Sequence, residues 1–217
     1  MRYSGVCPTR LDPTTTAVRG VAGFTLVELL TVIAIVAILA AAAVPSFQRF
    51  AAGSRINEAG SGLRSAVELA RSEAIARAGR AAVCRSLNAN DASPTCSAVA
   101  GSGFGAIDWA SGWIVYAKDG ANAADAFEAG DVVVRRQSPF AAGSGVARVT
   151  IRSPGAAPLV FGWNGVRTAG PIGTFAIDYG PSTESPPATL RADQGTCLAL
   201  NVVGRIDVVR PVSGVCP

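Results

Sequence analysis

Gly23-Phe24-Thr25-Leu26-Val27-Glu28-Leu29-Leu30 opens the stretch of sequence that decides the fold. The run over residues 24–44 is apolar throughout, apart from two threonines and Glu28. About 20 apolar residues are enough for a helix to cross the hydrocarbon core of a bilayer, so this run predicts a membrane helix in contact with lipid. Glu28 is exceptional within it, because an unpaired carboxylate is costly in lipid and calls for a cationic partner.

Three kinds of N-terminal segment share such a run: an uncleaved signal anchor, a secretory signal cleaved near Ala41-Ala42-Ala43, and a type IV prepilin signal. The order of residues favours the third, since a basic leader ends at Gly23, Phe24 and Glu28 follow, and Pro45 closes the run. This order closely resembles the prepilin motif. The resemblance implies that a prepilin peptidase cuts between Gly23 and Phe24 and methylates the new amine. It also implies that Glu28 meets the N-terminus of a neighbouring subunit during assembly.

The sequence predicts four parts. They are a leader peptide over residues 1–23, the membrane and assembly half of a long helix over 24–45, an amphipathic half over 46–80, and a β-rich domain over 81–217. The leader carries three arginines and one aspartate, which favours a cytoplasmic N-terminus. We therefore expect a single-pass inner-membrane protein with a periplasmic globular domain, which is later extracted into a pilus or pseudopilus.

After the membrane run, small and apolar residues recur at steps of three and four, which predicts one buried helix face. This stripe comprises Ile56, Gly60, Leu63, Val67, Ala70 and Ala74. Arg64 and Glu68 are spaced to pair on the exposed face. Apolar runs bounded by turn residues then predict strands near residues 82–84, 112–116, 131–137, 147–153, 158–163, 174–178, 197–203 and 206–210. Asn164-Gly165 predicts a two-residue hairpin turn. The expected class is α+β, a long N-terminal helix packed on an antiparallel sheet.

Four cysteines follow the leader: Cys84, Cys96, Cys197 and Cys216. An even number in an oxidising compartment predicts disulfides, and sequence alone permits three pairings. We favour Cys84–Cys96 and Cys197–Cys216 because each closes a short loop. Free thiols are the alternative. A metal site is disfavoured, because the chain has no histidine and no Cys-x-x-Cys pair.

Catalysis finds no support in the sequence. The chain lacks histidine, and it has neither a Gly-x-Ser-x-Gly motif nor a phosphate-binding loop. We expect a protein that is not an enzyme and that needs no metal or cofactor.

Asp108-Trp109-Ala110-Ser111-Gly112-Trp113-Ile114-Val115-Tyr116 resembles the Trp-x-x-Gly-Trp-Ile-Val-Phe element of the GspH/FimT family. Phe161-Gly162-Trp163-Asn164-Gly165 resembles the hairpin of that family, and residues 197–210 resemble its closing strands. The resemblance implies a minor pilin that primes or caps a type IV pilus, or else a minor pseudopilin of a type II secretion system. Its implied partners are prepilin peptidase, other pilins or pseudopilins and an inner-membrane assembly platform. All three tryptophans are predicted to be core aromatics.

Arginines without acidic neighbours are concentrated in residues 135–167. A basic strand face built from them would contact phosphates, solvent or neighbouring pilins. The candidates for DNA contact there are Arg135, Arg136, Arg148 and Arg152. FimT-like pilins are implicated in DNA uptake through a Gly-Arg-x-Arg element. Gly204-Arg205-Ile206-Asp207 keeps the first arginine of that element but has Asp at the second, so Arg205 and the nearby Arg210 are tentative DNA-binding residues.

Overall fold

The computed structural model describes residues 23–101, 104–120, 125–140, 147–181 and 195–217. The leader predicted over residues 1–23 lies outside the described residues except for Gly23. Helix α1 runs from Leu26 to Ala76. The chain divides into two compact units, residues 1–44 and 45–217.

In the first unit, the described part of α1 is exposed along its whole length. Leu29, Ile33 and Ile38 are 57%, 55% and 71% exposed. The helix is long and apolar enough to cross a membrane by length and composition. Because a soluble protein rarely leaves so many large apolar side chains uncovered, this segment needs lipid or other protein around it.

In the second unit, α1 buries one face. The predicted stripe is confirmed: Ile56, Gly60, Leu63, Val67, Ala70 and Ala74 are all buried. Ala52, Ala59 and Ala66 extend it. Small side chains on this face let the strands approach the helix closely. On the exposed face Arg64 Nε lies 2.8 Å from Glu68 Oε1, as their spacing predicts.

Nine strands follow within the described residues. They are β1 (Ala81–Arg85), β2 (Trp113–Ala117), β3 (Val132–Gln137), β4 (Ala147–Arg152), β5 (Leu159–Phe161), β6 (Arg167–Ala169), β7 (Gly173–Pro181), β8 (Thr196–Leu200) and β9 (Ile206–Val209). All pairings are antiparallel, in a five-stranded sheet ordered β3-β2-β1-β5-β6 and a four-stranded sheet ordered β4-β7-β8-β9. The main core joins both sheets to the α1 stripe. The predicted α+β class is confirmed.

Helix α1 ends at Ala76, earlier than the boundary predicted near Arg80. Ala78 adopts a left-handed φ of 49°, and the N–H of Gly79 donates back to the carbonyl of Ala74 at 3.0 Å. This closing hydrogen bond satisfies a carbonyl at the helix end and turns the chain toward β1.

The β5–β6 hairpin differs from the prediction in three respects. Its turn has three residues, because Gly162 N–H donates to the Val166 carbonyl and only Gly165, at φ 71°, is left-handed. Strand β6 was not predicted, since three residues are too few for a periodic signal. Trp163, expected in the core, is 69% exposed at the tip of this hairpin. That expectation is wrong because the turn points the indole away from the sheet.

Both predicted disulfides are present. Cys84–Cys96 and Cys197–Cys216 have Cα–Cα distances of 5.6 Å each. The first ties β1 to the segment that follows it, and the second ties the C-terminal residues to β8. The C-terminus is held further by the hydroxyl of Thr174, which donates to the carbonyl of Pro217 at 2.6 Å.

Candidate functional site

The polar side chains at the N-terminal end of α1 bond locally, with one exception. The N–H of Glu28 donates to Thr25 Oγ1 at 3.2 Å, and the hydroxyl of Thr31 donates to the Glu28 carbonyl at 2.9 Å. Both threonines of the apolar run therefore bond to their own backbone. What remains is the Glu28 carboxylate, which is exposed together with Phe24 (80% exposed).

The Glu28 carboxylate has no ion pair with any residue that the structure describes. Its place in the first turn gives it weak support from the positive end of the helix. That support is small beside the cost of a lone carboxylate in an apolar environment. The geometry thus leaves Glu28 available to a cation outside this part of the chain.

Arg148, one of the predicted DNA contacts, is buried. Its side chain is 2% exposed, and its Nη1 donates to Asp108 Oδ2 at 3.1 Å. The guanidinium also stacks over the Phe104 ring at 4.7 Å. A phosphate cannot reach a cation held in this way, so the prediction for Arg148 is wrong. The burial could not be foreseen from the local sequence, because the partner Asp108 lies far away in the chain.

Asp108 joins several elements and was not identified as a site residue from the sequence. Its carboxylate accepts the N–H of Ala110 at 3.0 Å and the N–H of Ile151 at 2.9 Å, besides the guanidinium of Arg148. Burial raises the pKa of Asp108, although these three donors oppose the shift. Asp108 also caps the 3-10 helix Trp109–Ser111. An Asp just before a short helical turn is the signal that would have revealed this role.

Residues 108–116, which we call the tryptophan element, have a spacing of tryptophans and glycine that packing explains. Trp109 and Trp113 are buried in the core, 0% and 1% exposed. Between them Gly112 has φ 105°, and a Cβ there would lie 2.6 Å from the Gln137 carbonyl oxygen. Only glycine fits this position, so the spacing of the two tryptophans around Gly112 serves packing rather than chemistry.

Three other arginines from the predicted basic face already have contacts within the chain. Arg135 is exposed, and its Nη1 donates to Ser65 Oγ at 2.9 Å. Arg136 is exposed and donates to the carbonyl of Asp91. Arg152 is half-buried and also interacts within the chain. The structure does not bring these residues together into one free cationic surface.

Arg205 and Arg210 lie on either side of β9. Arg205 has a side chain that is 70% exposed, and its Nε lies 3.0 Å from Asp207 Oδ1. The aspartate that replaces the second arginine of the Gly-Arg-x-Arg element therefore pairs with the first. Arg210 is exposed at the other end of the strand.

Comparison with known proteins identifies the family. The model of the family described as type II transport protein GspH matches residues 59–202, more than half of the chain. The chain belongs to the GspH family. This confirms the family predicted from the tryptophan element and the hairpin. A second match, the prokaryotic N-terminal methylation motif, covers residues 18–44 and so includes Gly23, Phe24 and Glu28.

Two solved structures are similar to the chain. Both are crystal forms of the type IV minor pilin FimU from Pseudomonas aeruginosa strain PAO1. The P21 form is 19% identical, with a TM-score of 0.45, and the match covers 76% of this chain and 93% of that one. The P65 form is also 19% identical, with a TM-score of 0.43 and coverages of 74% and 96%. A comparison with curated protein sequences gave no match.

Proposed function

We propose that this chain is a minor pilin, a structural subunit that enters a type IV pilus through residues 24–44 and primes or caps the fibre. The observation that carries the proposal is the exposed apolar helix, whose carboxylate Glu28 has no ion pair among the described residues and lies within the matched methylation motif. An apolar helix that is exposed on all sides can lie in the lipid bilayer and later pack against similar helices in a fibre. Membership of the GspH family supports a structural rather than an enzymatic role.

In this proposal prepilin peptidase removes the leader on the cytoplasmic side and methylates Phe24. The globular domain lies in the periplasm while the helix stays in the inner membrane, next to the assembly platform. In the fibre, Glu28 pairs with the N-terminal ammonium of a neighbouring pilin, because a carboxylate in an apolar environment is tolerable once it has a cationic partner. Pro45 ends the apolar run that makes these contacts.

The test compares Glu28→Gln and Glu28→Ala with Thr31→Val, a control that removes a polar group from the same run. Mass spectrometry of the purified chain reports cleavage after Gly23 and methylation of Phe24. Immunoblots of sheared fibres report incorporation. We expect all three variants to be processed normally and only the Glu28 variants to be depleted from fibres. Normal incorporation of Glu28→Gln would refute the role of the carboxylate.

A minor pseudopilin of a type II secretion system is the second candidate, because the matched family model is described as a type II transport protein. A deletion strain separates the two functions. Loss of surface pili and of motility that depends on them, with protein secretion intact, supports the minor pilin. Retained exoprotein in the periplasm, with pili intact, supports the pseudopilin. Complementation with the full chain is the control in both assays.

DNA capture is a further role to test, and Arg205 and Arg210 are tested first, because Arg148 is buried and Arg135, Arg136 and Arg152 already have contacts within the chain. The detergent-solubilised full chain is titrated with double-stranded DNA across a salt series, beside Arg205→Ala and Asp207→Ala. If Arg205 holds a phosphate, Arg205→Ala weakens binding and reduces its salt dependence. Asp207→Ala then strengthens binding, since it removes the competing carboxylate 3.0 Å from Arg205 Nε. Unchanged affinity in both variants would exclude this turn as a DNA site.

A further inference from the structure

Three chain segments meet at the end of the globular unit where α1 finishes. The β5–β6 hairpin touches α1 through Gly165, since a Cβ there would lie 2.6 Å from Ile75 Cδ1 and 3.2 Å from Arg71 Nε. The β8–β9 turn touches the same hairpin through Gly204, where a Cβ would lie 2.4 Å from the Phe161 ring. The last turns of α1 therefore pack against the hairpin, and the hairpin packs against the β8–β9 turn.

The three segments expose large apolar side chains. Ile75 is 52% exposed, Trp163 69%, Val202 63% and Val203 47%; we call these four residues the Trp163 patch. The other two tryptophans of the chain are buried. A tryptophan left in water among aliphatic neighbours is typical of a protein-binding surface, where tryptophan is enriched among the residues that contribute most to affinity.

The hairpin holds Trp163 in a fixed position. The turn is closed by hydrogen bonds from Gly162 N–H to the Val166 carbonyl at 2.9 Å and from Gly165 N–H to the Gly162 carbonyl at 2.8 Å. The N–H of Val166 adds a third bond, to Asn164 Oδ1 at 3.1 Å. Gly165 itself is buried against α1. A side chain on such a constrained backbone loses little freedom on binding.

The charges beside the patch are mostly positive. Arg71 lies against the Gly165 turn, half-buried, and has no ion pair with the residues that the structure describes. Arg167 packs against Gly204 and donates one hydrogen bond to the Gly170 carbonyl. Arg205 follows the β8–β9 turn, where Asp207 is its exposed partner. A surface that complements this one carries carboxylates around an apolar centre.

A second copy of this chain docked through the same patch would set Arg71 and Arg205 against their own counterparts, and such like charges disfavour that contact. A nucleic acid is also a poor match, because Ile75, Val202 and Val203 would lie against phosphates and sugars, although bases stack well on tryptophan. An acidic protein surface with an apolar pocket satisfies both the aliphatic residues and the arginines.

We propose that the Trp163 patch docks a protein of different sequence, whose pocket takes the Trp163 indole and whose rim carries Asp or Glu side chains facing Arg71. This goes beyond the helix-mediated assembly proposed above and uses none of residues 24–44. The two proposals can therefore fail separately.

The test places the photo-crosslinking residue p-benzoylphenylalanine at position 163 of the full chain, in the cells that make it. The control is the same residue at position 212, because Val212 is also 69% exposed but lies beyond the opposite end of β9. We expect a protein adduct at 163 that is absent at 212. Arg71→Glu should lower its yield about tenfold, because that change sets like charges against each other, whereas Arg71→Lys should preserve it.

The crosslinked peptide is then identified, and the purified pair is measured with Trp163→Ala. We expect acidic residues beside the crosslink and an affinity at least about thirtyfold weaker, as for truncation of a central interface tryptophan. A nuclease-sensitive adduct, a lipid adduct, a homodimer, an equal adduct at 212 or no adduct at 163 would each overturn the proposal. Fibre incorporation of Trp163→Ala, measured beside Glu28→Gln, shows whether helix-mediated assembly continues without the patch.

Discussion

The buried pair of Asp108 and Arg148 gives the sharpest prediction about stability. Replacing Arg148 with Met removes the cation 3.1 Å from Asp108 Oδ2 and keeps an unbranched side chain over the Phe104 ring. Among the described residues, the carboxylate, which is 0% exposed, then keeps the two backbone N–H donors of Ala110 and Ile151. Breaking a buried ion pair by removing one partner costs about 3–5 kcal/mol. We expect about 3 kcal/mol at pH 7, because the two remaining hydrogen bonds still support the charge.

The same variant should show a distinctive pH dependence. Burial raises the pKa of Asp108 above its ordinary 3.8 even with Arg148 beside it, and removal of the cation raises that pKa further. The folded variant therefore binds a proton more readily than the unfolded chain. Its stability falls as the pH rises from about 3.8 through the raised pKa and is constant above it. The cost of Arg148→Met is thus smaller near pH 4 than at pH 7.

Urea unfolding of the detergent-solubilised full chain measures this cost, with fluorescence of the buried Trp109 and Trp113 as the signal. Arg205→Met is the matched control, since its ion pair with Asp207 is exposed and is worth at most about 1 kcal/mol. A cost for Arg148→Met that equals the control, or that is the same at pH 4 and pH 7, would refute the account of Arg148 as the partner of a buried carboxylate.

Two further predictions concern the same unit. Replacing both Cys197 and Cys216 with Ser opens a loop with a sequence separation of 19 and should lower the free energy of unfolding by about 3 kcal/mol, which urea titration of oxidised protein measures. Asp131→Asn leaves Lys118 buried without its carboxylate 2.9 Å away and should cost about 3 kcal/mol at neutral pH. Burial alone would raise the pKa of Asp131, but Lys118 and two backbone N–H donors together lower it, so the stability from ionised Asp131 is lost as the pH falls below about 3.8. The difference in unfolding free energy between wild type and Asp131→Asn should therefore be smaller at pH 3 than at pH 7, and an equal difference at the two pH values would contradict this.

The elements that could be predicted from the sequence are those encoded by local periodicity. The α1 stripe repeats over several turns, and all its members are buried. Eight of the strand runs carried enough apolar residues to be recognised, whereas Arg167–Ala169 did not, because its pairing with β5 rather than its composition makes it a strand. The disulfide pairing followed from loop length. Each of these signals is local in the sequence, and even the two disulfides join cysteines only 12 and 19 residues apart.

The candidate site was predicted less well, because the decisive partners are distant in sequence. In β4 the side chains alternate, so Arg148 and Thr150 lie on one face of the strand and Val149 and Ile151 on the other. This pattern suggests one solvent-exposed face and one buried face. Both faces are in fact covered, with Arg148 at 2% and Thr150 at 3% exposure. Asp108, which is distant in sequence, supplies the carboxylate that makes this possible. Local pattern gives the alternation of a strand but does not show what lies over each face.

Comparison of the three carboxylates supports the proposal that Glu28 acts in assembly rather than in folding. Asp108 and Asp131 are buried, and each has a cation of the same chain at 3.1 Å and 2.9 Å respectively. Glu28 lies in an exposed apolar helix and has no such partner among the described residues. The first two carboxylates lose their cation only when the globular unit unfolds. In the proposed function Glu28 gains one from a neighbouring chain, so its replacement should lower incorporation into fibres and leave the free energy of unfolding of the globular unit unchanged.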